Sequence, residues 1–87
     1  MHAVVVTVTI NDPEGAEKTL QEDVVPQVKQ APGFVAGYWT RKDNTGLSIV
    51  VFESEEQAQT ASERVPAGIP AQVSLENVDV REVVAHG

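Results

Sequence analysis

The chain has 87 residues, enough for one core and too few for two, because a chain this short buries only about 60 to 65% of the surface its unfolded form exposes. Thirteen acids against six bases leave a formal charge of −7, which opposes the counterion-displacing contacts that a nucleic-acid backbone demands. With no cysteine and no apolar run longer than four residues, neither a disulfide framework nor a membrane span is expected. The N-terminus carries no basic region or small-residue cleavage site, so the expectation is one cytoplasmic domain over residues 1–87, with neither nucleic acid nor membrane as a partner.

Residues 3–10 (A-V-V-V-T-V-T-I) are nearly all β-branched, which favours a pleated strand over a helix. Their even positions make an apolar face, and the odd face is small and mixed, as if it too were covered. Asp12 and Pro13 then form a helix start: the carboxylate caps free N–H groups, and proline fits the first helical position. In the helix Ala16, Leu20, Val24 and Val28 recur every fourth residue as one apolar stripe. Pro26 removes a backbone hydrogen bond, predicting a kink or a short second segment, and Pro32-Gly33 ends the helix.

Residues 34–42 are predicted as a second strand and 47–53 as a third, joined by Asp43-Asn44-Thr45-Gly46, with Gly46 suited to positive φ. Ser54 opens a capping box with Gln57, starting a short helix whose apolar positions are Ala58, Ala61 and Val65. Residues 66–70 (P-A-G-I-P) are expected to stand outside that helix. A fourth strand is expected over about 73–85, with a change of phase near Asn77 that predicts a bulge.

The order β-α-β-β-α-β is that of an α+β, ferredoxin-like split βαβ fold, with sheet order 4-1-3-2 and both helices on one face. The first and third strands are apolar on both sides, so the other sheet face needs a cover. A two-fold partner stacked sheet to sheet supplies one, and the assembly is then a dimeric α/β barrel. Three stretches carry a resemblance over essentially the whole chain: V-V-P-Q-V-K-Q-A-P-G-F (24–34), S-I-V-V-F-E-S-E-E-Q-A (48–58) and V-D-V-R-E-V-V (78–84). With these the chain resembles the antibiotic-biosynthesis-monooxygenase-type family. The resemblance implies a homodimer of this fold and, for its oxygenases, a cofactor-independent reaction on a small phenol- or quinol-like aromatic. The alternative is a non-catalytic dimeric module that binds a small molecule or a protein.

Residues 31–40 (A-P-G-F-V-A-G-Y-W-T) hold three of the four aromatic residues of the chain. Pro32 and Gly33 read as backbone geometry. Strand alternation puts Phe34, Ala36, Tyr38 and Thr40 on one face and Val35, Gly37, Trp39 and Arg41 on the other, so Tyr38 and Trp39 point to opposite sides. Either aromatic suits a dimer interface. Gly37, Tyr38, Trp39 and Arg41 are also the candidate ligand-binding residues, with Tyr38 and Arg41 as groups to steady an anion or move a proton. The catalytic residues are not assigned, and no metal or cofactor is expected.

His2 and His86 fall at one rim of the sheet but lack a third ligand, and they read as exposed, frayed ends. Glu22-Asp23 and Glu55-Glu56 read as solvated helix faces. The haem-degrading branch of the resembled family is disfavoured. Its members carry an Asn in the first strand and a Trp and a His near the second helix, whereas residues 3–10 hold no Asn and residues 55–65 neither aromatic nor histidine.

Overall fold

A computed structural model describes all 87 residues. Strands β1 (His2–Ile10), β2 (Phe34–Lys42), β3 (Thr45–Phe52) and β4 (Val73–Glu82) form one antiparallel sheet of order β2-β3-β1-β4. This is the expected 4-1-3-2 topology read from the other edge. Between β1 and β2 run α1 (Pro13–Thr19), a π-helical turn (Leu20–Val24) and α2 (Val25–Lys29), and α3 (Glu55–Gly68) joins β3 to β4. No helix is long and apolar enough to cross a membrane.

Both helix starts have their N-cap bonds, though the reciprocal Gln57 side-chain bond of the expected capping box is not made. An Asp12 carboxylate oxygen accepts from the Gly15 N–H at 3.2 Å, and Ser54 Oγ accepts from the Gln57 N–H at 3.2 Å. Pro26 has no N–H to donate, and its ring would crowd the carbonyl four residues back. The chain answers by widening the preceding turn, in which the Val25 N–H bonds the Leu20 carbonyl. This same widening serves the apolar stripe. A strict four-residue repeat drifts by about 40° per step on a helix of 3.6 residues per turn, and the wide turn brings Val24 and Val28 back into line.

Three local expectations are corrected. The positive φ of the β2-β3 turn falls on Asp43 (φ 55), not Gly46, because Lys42 pairs with Thr45 across a two-residue Asp43-Asn44 loop. Gly46 lies inside β3, where a Cβ would come within 2.8 Å of Val8 Cγ2. Helix α3 runs through Pro66 to Gly68, since a proline in a final, exposed turn forfeits only one hydrogen bond. Strand β4 stops at Glu82, after which only the Val83 N–H to Met1 carbonyl bond (3.0 Å) continues the pairing. The bulge expected near Asn77 is present: Thr7 pairs with Asn77 and Val8 with Leu75, leaving Glu76 as the extra residue.

A second bulge in β2 was not foreseen. Phe34 pairs with Phe52 and Ala36 with Val51, so Val35 is the unpaired residue. Phe34 therefore crosses to the face of Gly37, Trp39 and Arg41, and its ring meets Phe52 edge to face, with centroids 6.5 Å apart. The core beneath the helices is Val4, Val6, Val50, Phe52 and Ala58, and only eight residues of the protomer are buried. That small number makes the covering of the remaining apolar surface the main structural question.

Candidate functional site

The two helical layers treat the sheet differently. Helix α3 packs on β1, β3 and β4, its small residues Ala58 and Ala61 allowing close approach, whereas of the α1–α2 stripe only Val28 packs against the core, and Ala16, Leu20 and Val24 do not. The result is a half-open cleft of about 1270 Å³ between that segment, α3 and the sheet. Its floor includes Val4, Val6, Val8, Val50, Trp39 and Arg41. The stripe of Ala16, Leu20, Val24 and Val28 forms its roof, and Gln57, Ala61, Arg64 and Val65 form the α3 wall.

Three of the four candidate ligand residues lie on this side of the sheet. Register places Gly37 opposite Val50, Trp39 opposite Ser48 and Arg41 opposite Gly46. The Trp39 ring leans along the strand over Gly37, where a Cβ would fall 2.7 Å from Trp39 Cη2. The room that Gly37 provides is thus taken by the indole itself. Arg41 is exposed and makes no ion pair. Tyr38 is the exception among the four: it pairs with Ile49 on the opposite face and is 65% exposed. Tyr38 and Arg41 therefore do not converge on one space within a protomer.

That opposite face bears an apolar stripe across β2 and β3, in which Tyr38, Leu47 (39% exposed) and Ile49 (38%) stand over Val5 and Ala36. Its β4 half is polar: Asp79 accepts from Asn77 Nδ2 at 3.0 Å and from Arg81 at 3.3 Å.

Sequence reasoning misplaced one histidine. His2 is the first residue of β1, half-buried, and its Nε2 lies 3.2 Å from Glu55 Oε2, so His2 is not frayed and Glu55 is not simply solvated. His2 pairs in register with Glu82, while His86 sits in the irregular, exposed tail. No group of three or more His, Cys, Asp or Glu side chains is gathered as metal ligands would be.

Gln57 was also missed as a site residue. It lines the cleft, and its Oε1 is closed off from solvent with no hydrogen-bond partner. A Cβ on Gly33 (φ 80) would fall on its carboxamide. No signal in the sequence joins residues 24 positions apart in this way.

No family model and no curated protein matches this chain. Among solved structures, the chain is similar to a dimeric ferredoxin-like protein from an uncultured marine organism. The identity is 12%, over 100% of this chain and 98% of that one, with a TM-score of 0.64. The haem degrader MhuD of Mycobacterium tuberculosis, solved with two haems in its active site, is 24% identical over 97% of this chain and 98% of that one, with a TM-score of 0.49. The chain has the ferredoxin-like fold.

Proposed function

We propose that the protein is a homodimer that binds a small aromatic ligand in the cleft between the α1–α2 segment and the sheet. The observation that carries this is the cleft itself: an apolar roof, joined to the core at Val28, otherwise stands off an apolar floor bearing the only tryptophan of the chain. Facing apolar surfaces so separated gain by enclosing an apolar body. Self-association is supported by the uncovered stripe of Tyr38, Leu47 and Ile49 and by the dimeric state of the marine neighbour.

Non-catalytic binding is favoured over cofactor-independent oxygenation because Tyr38, the group suited to moving a proton, lies on the other side of the sheet from Arg41. Trp39 makes the test direct. Titration with 1-naphthol should quench or shift its emission saturably, with one ligand per chain and no oxygen uptake. A flat titration sinks the binding reading. Oxygen consumed in proportion to an added phenol would instead establish the monooxygenase.

A further inference from the structure

We infer that Gln57 is the polar anchor of the cleft, reading a hydroxyl group on an otherwise apolar ligand; this rests on the cleft being the binding site. The carboxamide sits at the end of the cleft where α2 passes into β2, lodged against Gly33, and its Oε1 is sealed off without a donor. Its Nε2 makes no hydrogen bond to the rest of the chain either. An apolar side chain of similar length would fill the same space without burying an unmet acceptor.

The surroundings explain why the amide is held in place. Gly33 has φ 80 and no side chain, and the carboxamide occupies the space a Cβ would need. The backbone of Gln57 is fixed in turn, because its N–H donates to Ser54 Oγ at 3.2 Å in the cap of α3. The neighbouring Ala58 is wholly buried, which pins this turn of the helix to the sheet. A polar group supported from two sides in an apolar cleft is a fixed recognition element, not a solvated surface amide.

The ligand chemistry follows from the amide. With the oxygen sealed off, the amide's remaining polar group is its pair of N–H donors. A half-turn of its terminal torsion, which is broad and two-fold, offers the oxygen instead. A hydroxyl both donates and accepts, so it satisfies either orientation, whereas a methyl group satisfies neither.

The test compares 1-naphthol with 1-methylnaphthalene, which match in shape and differ in this one group. Equilibrium dialysis on the wild-type dimer should show a preference for 1-naphthol of about tenfold, the worth of one hydrogen bond in an apolar site. Gln57→Met should keep or strengthen 1-methylnaphthalene binding, abolish the preference and melt no lower than wild type. Gln57→Glu, which retains an acceptor, should keep the preference, and it decides the matter if the methionine variant fails to fold. The inference is overturned, with the cleft reading intact, if wild type shows no preference, if the preference survives in Gln57→Met, or if it is lost in Gln57→Glu. Neither probe binding to wild type overturns both.

Discussion

Tyr38 and Trp39 are adjacent in sequence and belong to different surfaces, and substitution should separate their roles. Trp39 is half-buried, packing against the core on one side and facing the cleft on the other. Trp39→Ala should therefore cost about 2 kcal/mol in urea melts, below the roughly 3 to 5 kcal/mol of a fully enclosed aromatic, and should abolish ligand binding. Tyr38→Ala should leave the protomer's own packing intact and weaken the dimer by about 2 kcal/mol, or roughly 30-fold. Sedimentation across a dilution series measures this, and an unchanged dissociation constant removes Tyr38 from the interface. No histidine lines the cleft, so a haemin titration should give no saturable Soret shift at one haem per chain. The opposed directions of Tyr38 and Trp39 were legible in the sequence, because strand alternation is a local rule. The crossing of Phe34 was not, because the bulge at Val35 depends on how β2 registers against β3.

At the level of elements, the N-cap residues were legible and the helix ends were not. Ser54 and Gln57 stand three apart in the sequence, and the Ser54 half of the capping box forms, while the Gln57 carboxamide turns to Gly33 and leaves the reciprocal bond unmade. Ser54→Ala should destabilise the protein by about 1 kcal/mol, read as a lower urea midpoint with an unchanged slope; an unshifted midpoint would show the cap to be dispensable. Pro66 misled because a proline excludes itself from a helix by the loss of one bond and a clash, both mild in a last turn with solvent beside it. The stand-off of the α1–α2 segment was invisible for another reason. Its stripe is perfectly amphipathic, and amphipathicity states which face turns inward, not how far it stands from what it faces.

For the whole molecule, the apolar pattern of β1 and β3 on both faces was the most informative signal in the chain, and the structure sharpens it. One face is partly covered by helices, and the other leaves Tyr38, Leu47 and Ile49 in solvent. Light scattering at micromolar concentration should return twice the 9.3 kDa chain mass, with a total interface of at least about 1,600 Å². A single-chain mass would refute the dimer. The polar β4 half of that face, with Asn77, Asp79 and Arg81 bonded to one another, should form the rim.

The π-helical turn bears on which insertions and deletions the chain tolerates. A turn closed by a bond from Val25 to Leu20 holds one residue more than an α-helix requires between the same two flanks. Removing Asp23 together with Pro26→Ala restores the ordinary spacing and relieves the proline clash, while Leu20 and Val28 keep their bearing towards the floor. The same loss of one residue within α3, ahead of Ala58, swings the rest of that helix through about 100° and drives a polar side chain into the place Ala58 holds. The first shortened chain should melt as a cooperative, folded protein by circular dichroism, and the second should not fold. Among the helices, the slack in length thus lies in the segment that roofs the cleft.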